Sequence, residues 1–201
     1  MNAIILAGGN NSRISTTKSF IKLDSRAIIE NTIQILSKEF DEVTIVANDR
    51  GKYLHLGPKV VSDIFVHNGP LGGIHAGLTA SGSFYNFVVA CDMPFITRDI
   101  IHYLKAQVDG YDIIIPERNG LLEPLCAIYS QNCLKPIAEQ LASGDLRVRS
   151  FFDQVRVKKI NWEGFKQFDP EQKAFFNINT PQDLERAERN LAAQSLNDRT
   201  D

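Results

Sequence analysis

The chain opens with Met1-Asn-Ala-Ile-Ile-Leu-Ala-Gly-Gly-Asn-Asn-Ser-Arg-Ile-Ser-Thr-Thr-Lys-Ser-Phe20. Residues 2–7 form a short apolar run, which predicts a central parallel strand buried on both faces. The run ends at Gly8-Gly9, and polar, turn-forming residues follow. Glycine leaves no Cβ between the backbone and a bound group, and free N–H groups beyond a strand's carboxyl end favour anions. The sequence therefore predicts a nucleotide-phosphate loop, to which Arg13 and Lys18 add two cations.

This loop lacks the patterns of the two best-known phosphate loops. Neither the GxxxxGK[ST] of a Walker A motif nor the GxGxxG of a dinucleotide-binding fold occurs in it. A Gly-Gly pair after an apolar strand can also be a simple turn, so the pair alone does not establish phosphate binding.

Apolar strands alternate with amphipathic helices through the first half of the chain. Helices are predicted at residues 26–38 and 97–108, with Thr97 as N-cap of the second, and strands at residues 43–47, 60–61, 87–91 and 111–115. Such alternation predicts a three-layer α/β/α fold with a mostly parallel, Rossmann-like sheet and right-handed crossovers. Ligands bind such sheets beyond the carboxyl ends of the strands. Polar or turn-forming residues stand at four of those ends, which indicates one shared site: Gly8, Asn48, Asp63 and Asp92.

The second half is less regular. A strand is predicted at residues 123–129, a helix at 132–142, a short helix turn with an edge strand at 151–160, and a final short strand and turn at 175–180. Thr180-Pro181 provides the N-cap and first residue of a last helix that extends to about residue 193. We expect a single domain over residues 1–195 and a disordered tail at 196–201.

Composition excludes several classes of protein. The fractions of hydrophobic (43%) and charged (23%) residues are ordinary for a soluble globular protein, and the net charge of −2 argues against a general nucleic-acid or anionic-membrane surface. Neither a signal peptide nor an apolar run long enough to span a membrane is predicted. The three cysteines contain no CxxC pair and are expected to be buried thiols of a reducing, cytoplasmic compartment: Cys91, Cys126 and Cys133.

The string Leu-Ala-Gly-Gly-x-x-Ser-Arg followed by Lys18 resembles the signature of the nucleotidyltransferases that activate sugars and cofactors. It is most similar to the MobA-like molybdenum cofactor guanylyltransferases. Ile14-Ser15 stands where that family usually has Met-Gly. The resemblance extends along the whole chain in order, through the glycine loop, Asn48, Asp63, and the segments GPLGG, CDMP, EPL and NxNTP. It implies a nucleotidyltransferase sheet of the glycosyltransferase-A-like type.

The resemblance also implies roles for individual residues. Asp92, within Cys-Asp-Met-Pro, matches the position that binds Mg²⁺, although an aspartate there can also simply cap a turn. Catalysis is assigned to Lys18, Arg13 and Asp92. The residues implied to bind the nucleotide are Leu6, Ala7, Gly8, Gly9, Lys18, Asn48, Asp63, Gly69, Pro70, Leu71, Gly72 and Asp92. Residues 69–77 are predicted as a glycine-rich loop that enters a helix, and their glycines can equally serve close packing of that helix on the sheet.

A second set of residues is expected on the acceptor side. Glu123 and Pro124 match a segment near the acceptor in the family, and Asn177 and Asn179 match its NxNTP motif. Amide side chains of that kind can hydrogen-bond a pterin-type heterocycle. A basic cluster is suited to an acceptor phosphate, although such clusters are usually only solvated faces: Arg147, Arg149, Lys158 and Lys159.

The activity implied by the resemblance is transfer of GMP from GTP to the phosphate of molybdopterin, with release of pyrophosphate and with Mg²⁺ as cofactor. Proteins that deliver molybdopterin, or molybdoenzyme chaperones, are further expected partners. Two alternatives stay open within the same class, a molybdenum cofactor cytidylyltransferase and a sugar-phosphate nucleotidyltransferase. A non-catalytic nucleotide-binding maturation protein is the alternative from another class.

Overall fold

The computed structural model describes residues 1–7, 18–23, 25–65 and 68–197 of the chain. The strands are β1 Asn2–Leu6, β2 Lys22–Leu23, β3 Arg26–Ala27, β4 Val43–Val46, β5 Lys59–Val61, β6 Tyr85–Ala90, β7 Ile113–Arg118, β8 Leu121–Leu122, β9 Cys126–Ser130 and β10 Val157–Asn161. The α-helices are α1 Ile28–Glu39, α2 Gly69–Ala80, α3 Arg98–Ala106, α4 Leu134–Ala142 and α5 Pro181–Asn197. Short 3₁₀ turns lie at Lys18–Phe20, Arg50–Lys52, Leu54–Leu56, Gln131–Cys133, Phe152–Gln154 and Trp162–Phe165.

One mixed sheet forms the centre of the molecule, in the order β10-β7-β9-β6-β1-β4-β5. β1 pairs in parallel with both β4 and β6, β4 with β5, and β10 with β7. β9 runs antiparallel to both β6 and β7. The predicted α/β fold with a mostly parallel sheet is therefore confirmed. The antiparallel strand has a consequence for the site, because it brings the residues before β9 to the carboxyl ends of the parallel strands.

Helices cover both faces of the sheet. Leu36 of α1 and Ile101 of α3 belong to one hydrophobic core, and Leu71 of α2 and Ile137 of α4 belong to the core on the other face. A smaller third core includes Ile28 of α1 and residues of α5, and it also contains residues of the segment between Lys18 and α1. The three-layer arrangement predicted from the alternation of strands and helices is confirmed.

Several element boundaries differ from the prediction. Arg26-Ala27 pairs with β2 in a small ribbon, so α1 begins at Ile28. Residues 69–77 are helical from Gly69 onward and do not form a loop. The strand expected at residues 111–115 begins at Ile113 and continues to Arg118. α4 begins at Leu134, after the 3₁₀ turn Gln131–Cys133.

The prediction of a strand at residues 175–180 is wrong. Backbone N–H groups of this segment donate to Asp92 and Asp183 and not to a neighbouring strand. The Ile178 N–H donates to the carbonyl of Asp92 at 3.0 Å. The N–H groups of Asn179 and Thr180 donate to the Asp183 carboxylate at 3.0 and 2.8 Å, as an N-terminal cap of α5. That helix continues to Asn197, further than predicted, and residues 198–201 of the expected tail lie outside the described part of the chain.

The cysteines agree with the prediction of buried thiols. All three are free of disulfide bonds and buried. Burial raises the pKa of the Cys133 thiol to about 12 and raises that of Cys126 as well, so both remain protonated. Within the described residues, no helix is both long and apolar enough to cross a lipid bilayer.

Gly77 allows α2 to lie directly on β1. A Cβ at this position would stand 2.5 Å from Cγ2 of Ile4, which is fully buried in the middle of β1. We expect Gly77→Ala to lower the free energy of unfolding by about 1–3 kcal/mol, the usual cost of overpacking a core. Denaturant unfolding followed by circular dichroism measures this. Gly82→Ala is the matched control, because a Cβ there meets no atom within 4 Å. Equal stability of the two variants would contradict the prediction.

Candidate functional site

The carboxyl ends of four parallel strands meet at one edge of the sheet. The Ala7 N–H donates to the Val46 carbonyl at 2.9 Å, and the Cys91 N–H donates to the Leu6 carbonyl at 3.0 Å. The Ala47 N–H in turn donates to the Val61 carbonyl at 2.9 Å. These bonds carry the pairing of β4, β1, β6 and β5 one step past the strands. The residues that follow are thereby brought to the same edge as Leu6 and Ala7, as predicted: Asn48, Asp63 and Asp92.

Part of the predicted phosphate loop lies outside the described residues, namely Gly8, Gly9 and Arg13, together with Ile14 and Ser15. Lys18 is described at the level of its backbone, where it begins the 3₁₀ turn that leads towards β2.

Asn48 and Asp63 form a pair at the ends of β4 and β5. The Asn48 amide donates to Asp63 Oδ2 at 3.3 Å, and the Asp63 N–H donates to Asn48 Oδ1 at 3.2 Å. Partial burial raises the pKa of the Asp63 carboxyl, while the bond from Asn48 acts in the opposite direction. The two side chains therefore orient each other and offer a fixed set of polar groups beside the β1 end.

The first turn of α2 adjoins this pair. A Cβ at Gly73 would lie 3.2 Å from Leu6 Cδ2 and 3.7 Å from Asp63 Oδ1. Gly69 and Pro70 are exposed at the start of the helix, whereas Leu71 is fully buried in the core beneath it and Gly72 is also buried. A ligand could thus meet the N-terminal backbone of α2, but the Leu71 side chain serves the core. Gly77 and Gly73 serve the close packing that the sequence had left as an alternative.

Asp92 stands immediately beyond β6, and a segment distant in sequence reaches it. The bond from the Ile178 N–H to the Asp92 carbonyl brings Asn177 and Asn179, on either side of Ile178, to the β6 end. The predicted acceptor motif is therefore near the predicted metal ligand, although 85 positions separate Asp92 from Asn177.

Two further predicted acceptor residues, Glu123 and Pro124, lie at the same edge because they directly precede the antiparallel strand β9. The Ala90 N–H at the end of β6 donates to the Leu125 carbonyl at 2.9 Å, so Glu123 and Pro124 lie next to this end. Arg118 of β7 donates to Glu123 Oε1 at 3.1 Å. Burial raises the pKa of the Glu123 carboxyl, and the Arg118 charge opposes that shift.

A cavity of about 420 Å³ opens beside Pro124, and it is lined further by residues 147–150. The lining thus includes the two arginines of the predicted basic cluster, Arg147 and Arg149. Arg147 is already paired, since its guanidinium donates to both oxygens of Asp145 at 3.0 and 2.8 Å. These bonds from Arg147 hold the pKa of the Asp145 carboxyl well below its usual range.

The structure assigns other contacts to the two lysines of the predicted basic cluster. Lys158 Nζ donates to the Gln107 carbonyl at the end of α3, at 3.1 Å, and Lys159 pairs with Glu117 at 3.4 Å. Neither lysine lines the cavity beside Pro124. The cluster predicted from sequence is therefore reduced to its two arginines.

Two residues at the edge were not found from the sequence, Arg118 and Tyr53. Arg118 is the last residue of β7, and it pairs with Glu123, which lies just beyond β8. Tyr53 is a buried residue between two 3₁₀ turns, and its hydroxyl contacts residues more than 30 positions away. Neither belongs to a recognisable motif, so only the folded chain identifies them.

Comparison with known proteins agrees with this geometry. The family model described as the MobA-like NTP transferase domain matches residues 3–159. A probable molybdenum cofactor guanylyltransferase of Pelotomaculum thermopropionicum is 38% identical over 184 residues, which cover 92% of this chain and 90% of that protein. A molybdenum cofactor guanylyltransferase of Desulfosudis oleivorans is 35% identical over 195 residues, with 96% of both chains covered.

A solved structure agrees as well. The crystal structure of molybdopterin-guanine dinucleotide biosynthesis protein A from Archaeoglobus fulgidus superposes with a TM-score of 0.84 at 29% identity, covering 96% of this chain and 100% of that one. The sequence resemblance to the molybdenum cofactor guanylyltransferases is thereby confirmed, and the chain belongs to the MobA-like NTP transferase family of nucleotidyltransferases.

Proposed function

We propose that this protein transfers GMP from GTP to the terminal phosphate of molybdopterin and releases pyrophosphate. The observation that supports this most directly is that two sets of polar residues lie at the same edge of the sheet, on either side of the β1 end. Asn48 and Asp63 lie on the side of β4 and β5, and Asn177 and Asn179 arrive from the other end of the chain through the Ile178–Asp92 bond. Full-length relatives named guanylyltransferases support the choice of nucleotide and acceptor.

The reaction requires little covalent chemistry from the protein. An oxygen of the acceptor phosphate attacks the α-phosphorus of GTP, the bond to the β-phosphate oxygen breaks, and pyrophosphate leaves. The acceptor phosphate is largely ionised at pH 7, because its second pKa is about 6, so no general base is required. The protein contributes positioning and neutralisation of charge. We assign the charge to Arg13 and Lys18, and the positioning of the triphosphate to the backbone of residues 6–9.

The donor set at the β6 end fits a magnesium ion held mostly by the nucleotide. Mg²⁺ is commonly bound by one or two carboxylates, together with phosphate oxygens and waters. Asp92 provides one carboxylate at this edge, and the described residues contain no group of three His, Cys, Asp or Glu side chains suited to a complete protein cage. Asp92 would therefore hold the ion, which when bound neutralises negative charge on the phosphates.

We assign recognition of the guanine base of GTP to the Asn48–Asp63 pair and the start of α2. A carboxylate can accept from the N1 and N2 donors of guanine, and an amide can complement its carbonyl. Gly69, Pro70, Leu71 and Gly72 would contribute through the backbone. Glycine at position 8 has no Cβ, which we take to favour the larger purine, whereas the sister cytidylyltransferases usually have alanine in the corresponding motif.

We expect GTP to be preferred over ATP and CTP. Pyrophosphate release with purified molybdopterin and each nucleotide, together with calorimetry for nucleotide affinity, tests this. Turnover with GTP only is the expected result. Equal or faster turnover with CTP would assign the chain to cytidylyl transfer instead. Nucleotide binding without pyrophosphate release would favour the non-catalytic maturation protein. Assays with sugar phosphates in place of molybdopterin test whether the protein is a sugar-phosphate nucleotidyltransferase.

A further inference from the structure

The side chain of Tyr53 contacts both flanks of the glycine-rich segment. Its hydroxyl donates to the carbonyl of Ala7, the residue that precedes Gly8, at 3.0 Å. The same oxygen lies 2.9 Å from the hydroxyl of Ser19, the residue that follows Lys18. Since the one phenol hydrogen is directed to Ala7, the Ser19 hydroxyl donates to the phenol oxygen. The phenol oxygen thus joins a backbone carbonyl and a side-chain hydroxyl that are 12 positions apart in the sequence.

The surroundings fix this phenol in place. Tyr53 is 2% exposed and Ser19 is fully buried, so neither bond is exchanged readily for a bond to water. The Tyr53 ring stacks on Phe20 with 5.3 Å between the ring centroids. The Tyr53 N–H donates to the Arg50 carbonyl at 2.9 Å. Burial raises the pKa of the phenol, which keeps the hydroxyl protonated as a donor.

Tyr53 also connects the two parts of the nucleotide site. It lies on the connection between β4 and β5, between Asn48 and Asp63, which are assigned to the base. The residues it bonds, Ala7 and Ser19, flank the segment assigned to the triphosphate. A displacement of either part would therefore be transmitted to the other.

We infer that Tyr53 is a positioning residue, whose hydroxyl sets the distance between the carboxyl end of β1 and the Lys18–Phe20 turn so that Lys18 meets the nucleotide triphosphate. This inference rests on the proposed nucleotidyl transfer and names a residue for which no motif exists. Tyr53 touches neither reacting atom in this assignment, and it acts through Ala7 and Ser19.

The test is Tyr53→Phe in the full-length protein, which removes the hydroxyl and keeps the stacked ring. The variant loses two buried hydrogen bonds, so the Lys18–Phe20 turn is held less firmly against the end of β1. We expect the Kd of GTP, measured by calorimetry with Mg²⁺, to rise about tenfold. The KM for the acceptor should stay unchanged. Ser19→Ala removes one of the two bonds and should give a smaller rise. The double variant should bind GTP no more weakly than Tyr53→Phe, because Ser19 then has no phenol to lose.

Ser130→Ala is the matched control, because it also removes a fully buried hydroxyl, one that donates to Asp112 at 3.1 Å at the opposite edge of the sheet. Thermal unfolding should show a loss of stability for Tyr53→Phe and for Ser130→Ala, whereas GTP affinity should fall in Tyr53→Phe and stay unchanged in Ser130→Ala. Unchanged GTP affinity in Tyr53→Phe, or additive effects in the double variant, would overturn the inference. If Tyr53→Phe fails to fold, Ser19→Ala decides by the same criterion. Absence of pyrophosphate release by the wild type would refute the proposed function instead, because GTP affinity is measured without turnover.

Discussion

Replacing Asp92 by asparagine is expected to lower the kcat of guanylyl transfer by about 10²–10³-fold, the cost of losing one preorganised electrostatic group at a reacting phosphate. The substitution keeps the size of the side chain and leaves the backbone carbonyl that accepts from Ile178 in place. The fold should therefore survive. Pyrophosphate release over a range of Mg²⁺ concentrations measures the effect, and the concentration of Mg²⁺ needed for half-maximal activity should rise.

Asp49→Asn provides a matched control for this variant. Asp49 also follows β4 at the same edge, but its carboxylate is exposed and pairs with Lys52 at 2.9 Å. This control should retain wild-type activity. An Asp92→Asn enzyme that turned over within threefold of the wild type, with the same Mg²⁺ dependence, would show that Asp92 is only a strand-end residue.

The double variant Asn177→Ala with Asn179→Ala should bind molybdopterin about 10–100-fold more weakly, the expected loss for two side-chain hydrogen bonds. Its affinity for GTP should remain nearly unchanged. The reason is structural, because the Ile178 N–H that joins this segment to Asp92 belongs to the backbone and is retained. Separate binding measurements for the two substrates, by calorimetry or fluorescence, give the result.

Asn48→Ala is the reciprocal control for that pair of substitutions. Asn48 bonds to Asp63 on the other side of the site. Its loss should therefore weaken the binding of GTP and leave the affinity for the acceptor unchanged. A double variant of Asn177 and Asn179 that lost GTP affinity but kept the acceptor would reverse the assignment of the two half-sites.

The sequence was sufficient where the signal is local. The apolar run of β1 is buried along its whole length, as its composition predicted. Thr97 caps α3 by accepting from the Ile100 N–H, and Thr180-Pro181 starts α5. Strand ends marked by Asn48, Asp63 and Asp92 meet at one edge because parallel pairing leaves no other place for them.

The sequence did not predict correctly those strands, helices and residue roles that depend on contacts with residues far along the chain. The direction of β9 is not encoded in its own residues, which would suit either orientation. Glycine disfavours helices, so the sequence did not place residues 69–77 in a helix, yet the fit of Gly77 on Ile4 lets tertiary packing stabilise one. Residues 175–180 have the composition of a strand. Their N–H groups instead donate to Asp92 and Asp183, so they are not available for pairing with another strand. The role of Tyr53 arises only from its folded neighbours.

The bond between Ile178 and Asp92 has a consequence for the order in which the protein is made. The chain leaves the ribosome from its N-terminus, so the strands that supply Asn48, Asp63 and Asp92 are synthesised first. Asn177 and Asn179 are synthesised later, beyond the stretch of residues 3–159 that the family model matches. A chain that ends at residue 159 would therefore carry Asn48, Asp63 and Asp92, together with Glu123 and Arg147, but would lack the two amides assigned to the acceptor heterocycle. Synthesis of the segment around Ile178 would then be the step that brings these amides to the β6 end.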